Sequence, residues 1–305
     1  MEIDNTERGN ATVPRRQLGR FLRHQREAAG KTIRAAADYM DCSTQKIWRI
    51  EKGAVPVRGP EVKQLCEFYR TDPSITEALV GLAKGTKARG WWQSYREVVM
   101  PEWLELFIGL EAAAARIRKY EPEVVPGLLQ APAYMEAIIR IDTPHFTDAD
   151  VHAGIHIKRE RQALLSRHFP PPPSLEVILS EGVLLGSIDV PGAMQQQLWH
   201  LLKANQEGRA NVRVLPLSAA PHRASVSGKF TILEFPALDP TDKGAHEPPT
   251  VYSDGLTGAI YLDKPHEIDA YEEVWNDIDR LALSVEGSNQ AISAVLRGMS
   301  GSGKS

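Results

Sequence analysis

The chain has 305 residues, which at about 150 residues per domain predicts two domains. Hydrophobic residues make up 42% of the sequence and charged residues 25%, a balance that is typical of folded globular proteins and excludes fibrous or disordered classes. No apolar run approaches the roughly 18 residues that a membrane-spanning helix needs. The first residues lack the apolar core of a secretory signal, and both cysteines, Cys42 and Cys66, lie in the N-terminal part. We therefore expect a cytoplasmic protein with reduced thiols.

The net charge of −3 conceals an asymmetry between the two ends of the chain. Residues 1–90 contain 17 Lys and Arg against 11 Asp and Glu, a balance of +6. The rest of the chain contains 19 against 28, a balance of −9. A basic N-terminal part suits contact with DNA phosphates, whereas chance clustering of solvated charge is the alternative when the asymmetry is taken alone.

Helical periodicity organises the N-terminal part of the chain. Residues 1–14 are polar and aperiodic, and we expect them to form a flexible arm. Residues 15–83 then predict a mainly α domain of five short helices, in which Thr32 is a favourable N-cap. The predicted helices lie at 15–29, 32–40, 43–53, 60–69 and 72–82.

Residues 43–53, STQKIWRIEKG, have the pattern of the second helix of a helix-turn-helix. Ser43 is a favourable N-cap, and Gly53 tolerates the left-handed conformation that ends a helix. Ile47 and Ile50 recur at helical spacing, so they are predicted to face the core of the domain. The other side chains face outward, which predicts a helix laid in the major groove of DNA.

The rest of the chain predicts a linker at 84–93, an α+β regulatory or dimerisation domain at 94–297 and a flexible tail at 298–305. A strong helix is predicted at 101–119. β-branched and alternating segments beyond residue 173 predict a mainly antiparallel sheet. The predicted strands lie at 175–179, 212–215, 229–235, 250–252 and 258–262. Further helices are predicted near 133–140, 147–166, 192–205, 266–284 and 288–297.

Two resemblances follow from these segments. IWRIEKG at 47–53 resembles the helix-turn-helix of the phage-repressor-like (XRE) class of regulators. The stretch from about residue 91 onward resembles the C-terminal domain of the actinobacterial Scr1-type regulators, which are described as antitoxin-like. The segments that carry this second resemblance are YEPEVVPGLLQAPAY at 120–134, RERQ at 159–162, PPSLEVILSEGVLL at 172–185, VRVLPLSAAPHRASVSGKFTILEF at 212–235 and YLDKPHEIDAYEEVWNDI at 261–278. The second resemblance implies a regulator whose C-terminal domain binds a small partner protein.

Eight side chains in and before the predicted reading helix are candidates for contact with DNA. The amide of Gln45 can read adenine with two hydrogen bonds, and Lys46 and Arg49 supply charge toward phosphates or guanine. Recognition helices of the resembled class usually carry a small residue at the position of Trp48, which here either packs on sugar or a thymine methyl or crowds the groove. Glu51 is expected to pair locally. The DNA-binding candidates are Arg34, Ser43, Thr44, Gln45, Lys46, Trp48, Arg49 and Lys52.

Two further patterns suggest chemistry that we consider less favoured than a structural explanation. GMSGSGKS at 298–305 satisfies the expression for a phosphate-binding loop, but the loop chemistry also needs a preceding strand and a following helix. His152 and His156 have the spacing of two metal ligands on a helix, yet no third ligand is suitably spaced. We therefore predict no cofactor and no metal.

The sequence predicts a sequence-specific DNA-binding transcriptional regulator that is not an enzyme. A single helix-turn-helix buries too little surface to select an operator, so a homodimer on two half-sites is expected. The C-terminal domain binds either a small partner protein or, as the alternative, a small-molecule effector. An enzyme fused to a DNA-binding module would need a cluster of titratable groups, and none can be assembled from the sequence.

Overall fold

The chain folds into two compact units in a computed structural model. One unit is formed by residues 1–110 with 261–263, and the other by 111–260 with 264–305. The residues that the structure describes are 6–71, 73–83, 102–168, 171–236 and 248–301.

Five helices form the first unit up to residue 83, as predicted. They are α1 (Thr6–Ala28), α2 (Ile33–Tyr39), α3 (Thr44–Glu51), α4 (Gly59–Tyr69) and α5 (Pro73–Ala83). The hydroxyl of Thr32 accepts a 3.1 Å hydrogen bond from the backbone N–H of Ala35 at the start of α2. The hydroxyl of Ser43 accepts a 3.2 Å hydrogen bond from the N–H of Lys46 at the start of α3. Both predicted N-caps are thereby confirmed.

One apolar core joins the five helices. Ile47 and Ile50 of α3 are buried in it, which confirms the predicted inner face of this helix. Gly53 has a φ of 65°, the left-handed conformation expected after the end of α3. The buried members of the core are Leu18, Leu22, Ala36, Ala37, Ile47, Ile50, Val57, Val62, Leu65, Cys66, Tyr69 and Leu79.

The start of α1 differs from the expected arm at 1–14, because the helix already begins at Thr6. Periodicity identifies only a helix that buries an apolar face, whereas a helix that has been nucleated extends into polar sequence at low cost per residue. The predicted linker at 84–93 lies outside the described residues. So do residues 302–305 of the predicted tail, whereas residues 298–301 are helical.

From residue 102 onward, the described residues form helices and six strands. None of the helices within the described ranges combines the length and apolar content that a bilayer crossing requires. In chain order the elements are α6 (Glu102–Ala113), β1 (Arg116–Glu121), α7 (Pro132–Asp142), α8 (Asp148–Gln162), β2 (Ser174–Ser180), α9 (Glu181–Leu185), α10 (Ala193–Gln206), β3 (Asn211–Leu215), α11 (Ala224–Ser227), β4 (Phe230–Glu234), β5 (Thr250–Gly255), β6 (Gly258–Leu262), α12 (Pro265–Leu281) and α13 (Val285–Gly301). Short 3₁₀ turns lie at Gly127–Leu129 and Ala163–Leu165.

The six strands form one mixed sheet in the order β3-β2-β1-β4-β5-β6. β1 pairs in parallel with β2, and β2 with β3, whereas β4 is antiparallel to both β1 and β5. A two-residue turn joins β5 to β6, a connection that only antiparallel strands allow. The predicted α+β domain with a mainly antiparallel sheet is confirmed. Because β1, β2, β3 and β5 run in the same direction, their carboxyl ends share one edge, which we call the carboxyl edge.

The helix predicted at 101–119 is wrong in its second half. α6 ends at Ala113, and residues Arg116–Glu121 form β1, a central strand of the sheet. Its backbone pairs with β2 on one side and with β4 on the other. Long-range pairing of this kind overrides the helical preference of an Ala-rich stretch, and no local pattern reveals it.

Candidate nucleic-acid interface

The outer face of α3 is built from polar and charged side chains. Thr44, Gln45, Lys46 and Arg49 are exposed, and Trp48 is 49% exposed. Ser43 at the cap and Arg34 on α2 are exposed as well, whereas Lys52 is half-buried. Seven of the eight predicted DNA-contacting side chains are therefore open to solvent.

The turn between α2 and α3 sets the entry of α3. Asp41 takes a φ of 48°, in the left-handed region that a non-glycine residue rarely occupies. The N–H of Cys42 donates to the carbonyl of Ala37, which closes α2 before Ser43 caps α3. The first backbone N–H groups of a helix lack acceptors within the helix, so the start of α3 suits an anionic group such as a phosphate.

Lys46 is held by a residue of α4 that the sequence prediction missed. Its ammonium lies 2.8 Å from a carboxylate oxygen of Glu61. The other oxygen of Glu61 accepts a 2.9 Å hydrogen bond from the N–H of Arg58. The hydrogen bond to Glu61 raises the pKa of Lys46, and the same contact followed by the Arg58 N–H lowers the pKa of Glu61. Lys46 therefore points toward α4, and a phosphate would have to compete with Glu61 for it.

Trp48 and Lys52 interact on the outer side of α3. The ammonium of Lys52 lies 5.5 Å from the centre of the Trp48 ring, a distance at which a cation is attracted to an aromatic face. Trp48 thus stays on the solvent side, among the predicted reading residues. Trp48, whose role the sequence leaves open between packing on DNA and crowding the groove, is exposed on the same helix as Gln45 and Arg49.

A buried ion pair connects α3 to α1. The guanidinium of Arg26 contacts the carboxylate of Glu51 with two hydrogen bonds, of 2.6 and 3.0 Å, and donates a third to the carbonyl of Lys31. Burial opposes the charged form of Arg26, but the hydrogen bond and charge of Glu51 outweigh it and raise the pKa of Arg26. The expectation that Glu51 pairs locally is wrong, because its partner lies 25 residues away.

Comparison with known families agrees with this geometry. A family described as a helix-turn-helix domain matches residues 17–79. A second family, described as a domain of unknown function (DUF5753), matches residues 104–294, which is 191 of 305 residues. The chain belongs to the DUF5753 family. No curated protein and no solved structure matches the chain. Residues 17–79 are therefore a helix-turn-helix DNA-binding domain.

Two of the segments that carry the second resemblance, at 120–134 and 159–162, contact each other in the DUF5753 domain. The amide of Gln162, in RERQ at 159–162, donates to the carbonyls of Gly127 and Gln130 at 2.9 Å each. Lys158 donates to the side chain of Gln130 at 2.8 Å. Burial, followed by the charge of Arg161, lowers the pKa of Lys158 to about 8. The loop after β1 is therefore fixed to α8 by polar contacts.

Three polar side chains lie next to one another on one face of the sheet in the DUF5753 domain. Strand register places Lys119, Thr231 and Tyr252 opposite one another on β1, β4 and β5. Lys119 lies 3.0 Å from one carboxylate oxygen of Glu121. The second oxygen of Glu121 is buried and accepts no hydrogen bond from the described part of the chain. Buried polar atoms usually have a partner, so this oxygen calls for a donor.

The two less favoured patterns stand as follows. Residues 298–301 of the segment 298–305 form the last turn of α13, and residues 302–305 lie outside the described residues. His152 and His156 both lie on α8. In the described ranges, no group of three or more His, Cys, Asp or Glu side chains is arranged to hold a metal ion.

Proposed function

We propose that the protein is a cytoplasmic, sequence-specific transcriptional regulator that lays α3 in the major groove of its operator. The observation that carries this proposal is the two-sided character of α3. Ile47 and Ile50 fix the helix in the core, while Gln45, Trp48 and Arg49 are presented to solvent. A helix of this kind after a tight turn reads base edges with the side chains of its N-terminal half.

Each exposed side chain has a distinct role in this proposal. Gln45 reads adenine, and Thr44 contacts a base edge or a phosphate. Arg49 binds a phosphate or guanine, and Arg34 on α2 contacts the sugar-phosphate backbone of the DNA. The Trp48 ring packs on sugar or on a thymine methyl, with Lys52 beside it. Lys46, already paired with Glu61, contributes least to affinity.

The regulator acts as a homodimer in this proposal. One helix-turn-helix unit reads only a few base pairs, and single modules bury about 600–1,000 Å² on DNA. Two α3 helices related by a two-fold axis would bind half-sites about 34–36 Å apart. We therefore expect the operator to be a palindrome with one helical turn between half-site centres.

Substitution of Gln45 tests the base-reading role. Operators would first be selected from a random-sequence duplex pool, and affinities for them and for a scrambled duplex would be measured over a range of salt concentrations. Gln45→Ala should lower the ratio of specific to scrambled affinity by about tenfold, since one bidentate contact is worth about 1–3 kcal/mol. Arg49→Ala is the matched variant. It should weaken binding to both duplexes and reduce the slope of log affinity against log salt concentration by about 1. Equal losses on both duplexes in Gln45→Ala would contradict base reading.

The C-terminal domain binds a small partner protein in this proposal. Support comes from the resemblance of its segments to the antitoxin-like domain of the Scr1-type regulators. The helix-turn-helix domain favours a regulator over an enzyme. The partner would act on DNA binding from the second unit, which carries the acidic balance of the chain.

The buried oxygen of Glu121 favours a second candidate, a small-molecule effector with an amine or hydroxyl donor. Native mass spectrometry of the purified chain separates the two candidates, because it detects a retained ligand and a co-purified protein in one spectrum. An effector should appear as a small added mass that Glu121→Gln removes. The exposed neighbour Glu123 provides the control, and Glu123→Gln should keep the added mass. A spectrum with a protein partner and no small added mass would contradict the effector.

A further inference from the structure

An ion pair links the N-terminal end of α3 to the N-terminal end of α4. Lys46 is the third residue of α3, and its ammonium lies 2.8 Å from one carboxylate oxygen of Glu61. Glu61 is the third residue of α4, and its other oxygen accepts the 2.9 Å hydrogen bond from the N–H of Arg58. Both oxygens of this carboxylate are therefore engaged, and its orientation toward α3 is fixed from its own helix.

The ion pair lies at the end of α3 that carries the proposed base-reading residues. Lys46 directly follows Gln45, and its side chain is 48% exposed, against 27% for that of Glu61. The contact with Lys46, followed by the Arg58 N–H, holds the pKa of Glu61 below its usual value, so the carboxylate is charged at neutral pH. Because the ammonium is open to solvent, Glu61 and a DNA phosphate are alternative partners for it.

The charge of Glu61 and its hydrogen bond to α4 have separate effects. The bond from Arg58 is a capping contact at the start of α4, and a glutamine at this position would accept it equally well. The negative charge acts on Lys46 and on any phosphate that approaches it. Each cation that binds a phosphate releases a counterion and adds affinity that is independent of sequence. Glu61 therefore reduces this sequence-independent part of DNA binding.

We propose that Glu61 is a specificity-determining residue, which withholds Lys46 from the phosphates of DNA other than the operator. The inference rests on the proposed function, in which α3 lies in the major groove. On the operator, base contacts such as that of Gln45 fix the position of α3, and Lys46 keeps its partner on α4. On any other duplex no base contact fixes that position, so the surface settles where its free cations meet phosphates. Glu61 removes one such cation and weakens these competing complexes most.

The ratio of the two affinities decides how well a regulator finds its operator. A genome offers about 10⁶–10⁹ competing sites, so a small change in affinity for each of them alters the fraction of protein on the operator. Weakening the wrong complex raises selectivity as effectively as strengthening the right one. An ion pair as exposed as that of Lys46 and Glu61 contributes little to folding stability, so its main effect is on binding.

Binding of the full-length Glu61→Gln variant to a scrambled duplex tests this inference. Affinities would be measured by fluorescence anisotropy over a range of salt concentrations, for the scrambled duplex and for the selected operator. Glutamine keeps the acceptor for the Arg58 N–H and removes the charge. The variant should bind the scrambled duplex about fivefold more tightly, and its log affinity should fall more steeply with log salt concentration, by about 1 in slope. Affinity for the operator should rise less, so the ratio of specific to scrambled affinity should fall.

Two further variants identify the cause of the gain. Glu67→Gln is the matched control, because Glu67 is exposed on α4 six residues further along, about 240° around the helix from Glu61. It removes the same charge from the chain without touching the ion pair, and it should change the scrambled affinity much less. Lys46→Met removes the partner. In that background Glu61→Gln should change the scrambled affinity no more than Glu67→Gln does, as expected when two residues act through one contact.

Several results would overturn the inference. These are a gain in Glu61→Gln no larger than that in Glu67→Gln, a gain that persists without Lys46, and an equal gain on the operator. A loss of operator affinity in Glu61→Gln would also overturn it, and would mean that Glu61 itself accepts a hydrogen bond from a base. If no operator emerged from the duplex pool, the proposed function and the specificity role would both be wrong. The scrambled duplex would still measure the coupling of Glu61 to Lys46, so the two failures are distinguishable.

Discussion

Replacement of Gly19 by Ala is expected to destabilise the helix-turn-helix domain and to weaken operator binding by at least about tenfold. Gly19 lies in the middle of α1, where Ala normally stabilises a helix by about 1 kcal/mol relative to Gly. An added Cβ here would lie 2.5 Å from the carbonyl oxygen of Ile50 and 2.6 Å from that of Glu51. Both contacts are with backbone, so no side-chain rotation relieves them. Overpacking of this kind costs about 1–3 kcal/mol, and it displaces the end of α3.

Hydrogen exchange of the full-length chain measures this effect locally. Amides of α1 and α3 should exchange faster in Gly19→Ala, since the two helices must separate to accept the methyl group. Gly298→Ala is the matched control, because nothing lies within 4 Å of the position that its Cβ would take in α13. That substitution should slow exchange in α13 by the amount that helix propensity predicts. Slower exchange in α3 of Gly19→Ala would contradict the close approach of the two helices.

Gly19 also illustrates which parts of the candidate site the sequence could not predict. The caps Thr32 and Ser43 and the terminating Gly53 were predictable, because capping depends on residues within one turn of each other. The close packing of Gly19 on α3 depends on residues about 31 positions away. A glycine inside an otherwise periodic helix was the available signal, since it has no helical advantage unless a backbone approaches it.

The strands of the sheet likewise divide into those that their own residues predict and one that depends on distant partners. β2 and β4 were predictable from their own β-branched residues. β1 was not, because RIRKYE carries four charged residues and follows Ala residues that favour a helix. Its buried Arg118 is neutralised by Glu234, at 2.8 Å, and by Glu272 of α12, partners 116 and 154 residues further along the chain. Charge in a central strand is tolerated only with such partners, and sequence spacing does not reveal them.

Removal of Arg26 should produce the largest loss of stability in the DNA-binding domain. Its contact with Glu51 is buried, with side chains 9% and 5% exposed, and it links α1 to the last residue of α3. Arg26→Met would leave the carboxylate of Glu51 buried without its partner. Breaking a buried pair in this way costs about 3–5 kcal/mol. Arg23→Ala is the matched control on α1, since Arg23 pairs with the exposed Glu27 and such pairs contribute about 0–1 kcal/mol.

Denaturant unfolding and operator binding of the full-length variants would measure the loss, with hydrogen exchange assigning it to α1–α4. The double variant Arg26→Met with Glu51→Met separates an unpaired charge from a lost packing contact. Two apolar side chains of similar volume often replace a buried ion pair at little or no cost, so the double variant should recover most of the stability. It should bind its operator more tightly than Arg26→Met does, because α3 is again held against α1. A double variant as unstable as the single one would mean that the ion pair itself, rather than the absence of an unpaired charge, holds α3 in place.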